Sequence, residues 1–282
     1  MRIDLHAHST ASDGTSTPAE LVAEAATAGL DVLGLTDHDT TLGWPAAFEA
    51  RPAGLTLVPG AEISCRWHGA PWPIGLHLLA YLFDPTDPAL STELARVRMS
   101  RETRAERMVE MLYADGIDIT WDEVLQDAAG GTVGRPHLAQ ALIRRGLVGS
   151  VTEAFEPQWL GRRYRVPKED LDVFAALRLV RGAGGVPVFA HPRASVRGPV
   201  VPDELIVEMA GAGLFGLEAD HTDHSPGEQA EMHALADRLG LVTTGSSDYH
   251  GSNKTVRLGA RTTAPDVLER IVAAGHGSDV VG

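Results

Sequence analysis

Two histidines, His6 and His8, flank one alanine near the start of the chain, and Asp13 follows in a Ser-Asp-Gly turn. The run from Arg2 to Leu5 alternates as a strand does, and a strand has a side-chain period of two, so both imidazoles point the same way at its end. Neutral imidazoles side by side can grip one divalent cation, and a carboxylate oxygen from Asp13 could join them. A single His-X-His pair carries little weight alone. The case rests on recurrence: His38 follows the apolar run Val32 to Thr36, Glu62 follows Leu55 to Val58, and His191 follows Val186 to Ala190. Asp248 and His250 follow Leu241 to Gly245. His77 lies within the apolar run Gly75 to Phe83, where alone it reads as a core histidine; beside the other ligands it reads as one of them.

The set is then His6, His8, Asp13, His38, Glu62, His77, His191, Asp248 and His250. Nine N/O ligands exceed what one tetrahedral or octahedral ion takes, which implies two or three ions, with Glu62 or a hydroxide bridging a pair. Two ions roughly 3.5–4 Å apart clamp an in-line phosphoryl displacement and lower the pKa of a water between them. No Gly-rich phosphate loop competes with this reading. Ser246-Ser247 lacks the glycine pattern of a nucleophile elbow.

These residues sit in a β-α-β-α-β rhythm, which predicts a parallel sheet with functional groups at the C-terminal ends of its strands. Thr17, Pro18 and Glu20 mark a first helix start, and Gly29 its end. Arg66 to Gly75 reads as a loop, and Val256 to Thr262 as a last edge strand. Residues 91–170 break the rhythm with helical patterns over Arg96 to Ala114, Trp121 to Ala129 and Gly134 to Arg145. The expected organisation is a barrel from 1–90 and 171–282, with a helical insertion of about 80 residues capping the site. Between Arg135 and Lys168 the insertion has seven basic and two acidic residues, which suggests an anionic ligand.

The chain has 282 residues with 44% hydrophobic content, enough for one large α/β domain. Its formal net charge is −14, which argues against coating duplex DNA through a basic face. No apolar run has membrane-spanning length, no secretory leader is expected, and one cysteine, Cys65, suits a reducing cytosol. The oligomeric state is left open.

Asp4-Leu-His-Ala-His-Ser9, Ser12-Asp-Gly14, Thr36-Asp-His-Asp-Thr40, Gly60-Ala-Glu-Ile-Ser64, Ala190-His-Pro192 and Gly245-Ser-Ser-Asp-Tyr-His-Gly251 resemble the motifs of the PHP (polymerase and histidinol phosphatase) family of metal-dependent phosphoesterases. Gly134-Arg-Pro-His-Leu138 further resembles its nucleoside 3′,5′-bisphosphate phosphatase and 5′–3′ exoribonuclease subgroup. The resemblance implies a distorted (β/α)7 barrel holding two or three Mn, Zn or Fe ions. It implies a first ion on His6, His8, Glu62 and Asp248, a second on Glu62, His77 and His191, and a third on Asp13, His38 and His250. Asp13, His38, His191 and Asp248 are the implied catalytic groups. Arg135 would clamp a substrate phosphate, with Arg193 and His221 as further substrate contacts; Asp220 to His224 departs from the family's apolar-aromatic version. The implied substrates are nucleoside 3′,5′-bisphosphates or short 5′-phosphorylated RNA. The alternatives are a phosphatase of another metabolite such as histidinol phosphate, and a non-catalytic metal-binding domain.

Overall fold

The computed structural model describes residues 1–69 and 72–282. Seven strands form one nearly closed sheet in the order β1 (Ile3–Ala7), β2 (Val32–Leu35), β3 (Thr56–Trp67), β4 (Ile74–Tyr81), β6 (Val186–Phe189), β7 (Gly216–His221) and β8 (Val242–Ser246). The two-residue β5 (Leu171–Asp172) pairs with β3 beside Cys65 and Arg66. Closure comes from a parallel bridge between Ala7 and Tyr249 and from His8 N donating to Tyr249 O at 2.9 Å. All neighbours are parallel except β4, which runs against both β3 and β6. This reversed strand is what distorts the (β/α)7 barrel.

The helices α1 (Pro18–Thr27), α2 (Trp44–Ala50), α7 (Val173–Gly182), α8 (Asp203–Gly211) and α9 (Pro226–Leu239) bury their apolar faces on the outside of the sheet. Thr17 accepts from Glu20 N and Glu20 answers to Thr17 N, the capping box read from the sequence. Ile3, Leu5, Val32, Val58, Leu79, Val188 and Val242 fill the barrel interior, and α10 (Pro265–Ala274) adds Val267 and Ile271 to this cluster. The apolar filling occupies one end of the interior and the candidate ligands the other.

Between β4 and β5 lie α3 (Pro88–Ala114), α4 (Trp121–Ala128), α5 (Arg135–Arg144) and the single turn α6 (Val151–Ala154). They enclose a second core that includes Met108, Leu112, Leu138, Leu142 and Tyr164. α3 starts earlier than its Arg96-to-Ala114 pattern indicated, capped by Asp87. Its first turns, through Leu90, Leu94 and Val97, pack in the barrel's outer core, and its later turns in the helical one.

Two expectations are corrected. β3 does not end at Val58 but continues to Trp67, because β4 folds back and pairs with it from Gly60 to Trp67. Glu62 is therefore in mid-strand, and the two ends of the expected Arg66-to-Gly75 loop, Arg66 with Trp67 and Ile74 with Gly75, are paired strand; residues 70 and 71 of that loop lie outside the described residues. Residues 256–262 form turns and no strand. Just beyond them Thr263 N donates to Ile3 O of β1 at 2.9 Å.

Gly34 in β2 leaves no room for a side chain: a Cβ there would lie 2.3 Å from the backbone oxygen of Leu5. Gly34→Ala is expected to force β1 and β2 apart and to destabilise the protein by about 1–3 kcal/mol, the usual range for overpacking. A urea unfolding midpoint equal to that of the unaltered protein would contradict this packing.

Candidate metal centre

At the open end of the barrel, strand tips bring imidazoles and carboxylates together out of water. His6, His8, Asp13, His38, Glu62, Asp248 and His250 are all buried. The loop after β1 is folded back by Asp37, which accepts from Ser9 N at 2.8 Å, Ser9 Oγ at 2.7 Å and Ser12 Oγ at 2.6 Å. Gly14 completes this turn, since a Cβ there would lie 2.3 Å from His8 O. Asp13 is thereby placed 3.3 Å from His250 Nε2 and 3.7 Å from His38 Nε2.

Glu62 is the centre of the group. Its Oε2 lies 3.2 Å from His6 Nε2, 3.1 Å from His8 Nε2 and 3.2 Å from His38 Nδ1. Its Oε1 lies 2.7 Å from His77 Nδ1 and 2.9 Å from His191 Nε2. Three sets bring their ligand atoms within 4.8 Å of one another: His6, His8, Glu62 and Asp248; His8, Asp13, His38 and His250; and His38, Glu62 and His77. The first matches the set implied by family resemblance. In the others His8 and His38 are shared more widely than that scheme had them. His191 stands outside these sets, although its ring is 5.5 Å from that of His77.

The side chains fit divalent cations on grounds internal to the site. Among the described residues, His38 Nδ1, His77 Nδ1 and Asp248 Oδ1 are buried and, although the two nitrogens lie near Glu62, none of the three makes a hydrogen bond of proper geometry. A buried polar atom left unsatisfied costs about 1–3 kcal/mol. His6 Nε2 and His8 Nε2 face each other at 3.1 Å. Ligands that share one small cation at about 2.0–2.1 Å stand roughly 3–3.5 Å apart, so these separations are those of a ligand shell. Imidazole and carboxylate together suit zinc, manganese or iron.

Without cations the charges hold one another. Burial opposes charge on Glu62, but His77, His38 and His6 outweigh it and keep its carboxyl well below the usual range. Burial likewise opposes charge on His8, yet hydrogen bonds to Asp248 and Glu62 raise its pKa to about 9. His191 is pushed down to about 3 by burial and by the Arg197 charge, and His250 to about 4 by burial together with His8 and Lys254.

Of the expected substrate contacts, Arg135 opens α5, where its guanidinium lies 4.8 Å over the Phe155 ring. Gly134 beside it approaches Asp13: a Cβ there would stand 3.7 Å from Asp13 Oδ2. The structure does not present the other two to an open surface of the site. Arg193 is committed to Val201 O at 2.8 Å and to Asp203. His221 is fully buried, with Nε2 3.3 Å from Asp248 Oδ2.

Residues absent from the sequence-derived set also reach the centre. Arg197 donates to Asp248 Oδ2 at 2.6 Å and Lys254 to the same oxygen at 2.6 Å, so that Oδ1 is left facing the ligands. Arg101 of α3 bonds Asp39 at 2.6 Å and Ser64 at 2.5 Å, tying the helical segment to the residue after His38. Arg104, one turn further on, is buried, and its Nε has no hydrogen-bond partner among the described residues. A local signal existed for Arg197, the second arginine in the loop after His191. None existed for Arg101 and Arg104, which look like the outer face of an amphipathic helix.

The PHP domain profile matches residues 4–120. The chain is 34% identical over 262 residues to a 5′-3′ exoribonuclease of Haemophilus influenzae, covering 92% of this chain and 93% of that protein. It is 33% identical over 251 residues to a 3′,5′-nucleoside bisphosphate phosphatase of Chromobacterium violaceum, covering 88% and 87%. A solved structure from Bifidobacterium adolescentis, 36% identical, superposes with a TM-score of 0.92 over 97% of this chain and 96% of that one. Barrel, site and relatives together define a metal-dependent hydrolase of phosphate esters. The chain belongs to the PHP family.

Glu62→Gln removes the charge on which five histidines converge. Bound metal is expected to fall by about one ion per chain or more, and phosphoesterase turnover to be lost. Elemental analysis of the purified variant checks this, with far-ultraviolet circular dichroism to show the fold retained; full metal with full activity would contradict a bridging Glu62. A second expectation concerns protons. Below a pKa of about 9 metal-free His8 carries a proton that a bound cation must displace. Metal uptake at pH 7 should release protons, and affinity should rise as pH goes from 7 toward 9. Calorimetric titration in buffers of different ionisation enthalpy measures the release; none at pH 7 would refute it.

Proposed function

We propose that this phosphoesterase cleaves 3′-phosphate esters of nucleotides that also carry a 5′-phosphate: nucleoside 3′,5′-bisphosphates, short 5′-phosphorylated RNA, or both. The reading rests on one observation. Arg101, Arg104, Arg135, Arg165 and Lys168 gather in one region: burial, with the Arg101 and Arg104 charges, lowers Lys168, while Asp39 pairs with Arg101 and Asp170 with Lys168. Burial, with the Arg165 and Arg101 charges, lowers Arg135 to about 10. Burial, with Arg101 and Arg135, lowers Arg104 too. Arg135 has no carboxylate partner among the described residues. A cluster of cations held without enough counter-charge binds a polyanion well, and a guanidinium offers a phosphate two parallel donors. A singly phosphorylated metabolite would leave this cluster idle while its phosphate sat at the metals.

In this proposal residues 91–170 act as the substrate cap, with Arg135 and Arg104 holding the phosphate that is not cleaved. His6, His8, Asp13, His38, Glu62, His77, His191, Asp248 and His250 hold two or three divalent ions, of Mn, Zn or Fe. When bound, such ions supply a water nucleophile of lowered pKa and neutralise charge on the reacting phosphate. Asp13, His38, His191 and Asp248 face that phosphate. Arg197 and Lys254 fix the Asp248 carboxylate and exclude a second orientation of it. The relatives' names support the substrate class: one is a bisphosphate phosphatase and another an exoribonuclease. The net charge of −14 speaks against duplex DNA as a partner. The single buried thiol of Cys65 suits the cytoplasm, and among the described residues no helix is long and apolar enough to cross a membrane.

Arg135→Ala tests the proposal. Loss of a charge-assisted pair in a desolvated setting costs roughly 2–5 kcal/mol. The variant should lose about 30-fold or more in kcat/KM for a 3′,5′-bisphosphate. An aryl phosphate, which has no second phosphate, should be affected far less. Equal losses on the two substrates would move Arg135 to the reacting phosphate and remove the main support for a bisphosphate.

A further inference from the structure

Behind the ligands, on β7, lies a carboxylate that the chemistry above does not use. Glu218 is completely buried, in the middle of the barrel wall. Its Oε1 is 2.9 Å from His6 Nδ1, and its Oε2 accepts from the backbone N of His191 at 2.9 Å. Each oxygen thus serves a different strand tip. His6 then turns Nε2 toward Glu62 and Asp248, at 3.2 and 3.4 Å. His191 turns Nε2 toward the other oxygen of Glu62, at 2.9 Å.

The backbone contact matters because of where His191 sits. Its φ is +34°, a left-handed conformation in which a side chain is strained. The residues of this turn are held from β7 and the loop after it. Glu218 takes the His191 N–H, and His224 Nε2 takes the Arg193 N–H at 3.1 Å. The strain persists because these bonds over-determine the turn.

We propose that Glu218 is a positioning residue that prepares two separate cation positions at once, fixing the His6 tautomer with one oxygen and the strained His191 turn with the other. A histidine that ligates through one nitrogen commonly donates its other N–H to a carboxylate, and this orients the ring and raises its basicity. Glu218 does this for His6, and its second oxygen extends the effect to His191 on a different strand. Both acceptors must be oxygen. An amide at this position has one acceptor and one donor. Its NH2 would oppose the His191 N–H, or it would turn His6 so that Nε2 carries the proton and faces the cation.

The inference rests on the metal-centre reading above, and the test separates the two. Metal-free full-length protein and its Glu218→Gln variant are titrated with Zn2+ alone and with Mn2+ alone, by calorimetry and elemental analysis. Thermal unfolding of each metal-free form is measured alongside. Affinity should fall about 10–100-fold for the ions that involve His6 and His191, as for other losses of such a partner. Any ion held by Asp13, His38 and His250 should bind as before. Failure of the unaltered protein to bind either metal overturns the metal-centre reading itself. Binding by the variant equal to that of the unaltered protein, or a fall in unfolding temperature with unchanged affinities, overturns the role of Glu218 alone. If the variant does not fold, nitrogen-15 spectra of the histidine rings in the Zn-loaded unaltered protein decide. Ligation of His6 through Nε2, with a proton retained on Nδ1, is expected; ligation through Nδ1 would refute the proposal.

Discussion

The constraint on which the rest of the molecule depends is the burial of one carboxylate among imidazoles. Glu62 is almost completely inaccessible, and five histidine rings approach its two oxygens at 2.7–3.2 Å. Taking such a carboxylate out of water is costly unless it is paired and hydrogen-bonded. The barrel supplies the pairing from four strands, β1, β2, β4 and β6, around Glu62 on β3, and each must arrive within a fraction of an ångström. A sheet closed on itself can do this; separate loops on an open surface would not be held in register. The reversed β4 belongs to the same solution. It lets β3 run through the site, so Glu62 projects from the interior of a paired strand and cannot swing with a loop.

Such convergence is accompanied by backbone strain. Asp39, His191 and Asp248 have φ of +56°, +34° and +53°, and each stands at or beside a candidate ligand after a strand. Residues in this region of φ and ψ cost about 1–3 kcal/mol each and persist only where their surroundings over-determine them. Asp39 is held by Ser64 and Arg101, Asp248 by Arg197 and Lys254, and His191 by Glu218. The polar residues around the ligands therefore hold as much of the geometry as the ligands do.

What the sequence disclosed follows from this division. Ligand types at the ends of apolar runs were legible because strand and tip are adjacent in the chain, and His6, His38, His191 and His250 all have that local signature. The helix start at Thr17 was legible for the same reason. The extension of β3 was not: Pro59 and Gly60 look like a strand end, and only pairing with β4 makes room for them inside one. Glu218 was also illegible as a partner of His6, because 212 residues separate them and a lone Glu in an apolar strand has no spacing to betray it. Arg104 was hidden by its own helix, where an arginine between apolar positions is what a solvated face would show.

The seam of the barrel carries a consequence for how the protein is made. β1 and the segment after β8 meet at the Ala7–Tyr249 bridge, and Asp4 receives the Ser247 and Gly259 N–H groups at 3.0 and 2.8 Å. The candidate ligands His6 and His8 therefore meet Asp248 and His250 only when this seam closes. During synthesis at about 5–20 residues per second, the first pair leaves the ribosome roughly 10–50 seconds before its last partners exist. For that interval the N-terminal strand lacks both the seam's hydrogen bonds and the side chains of Asp248 and His250. The barrel therefore cannot close until nearly nine-tenths of the chain has been made.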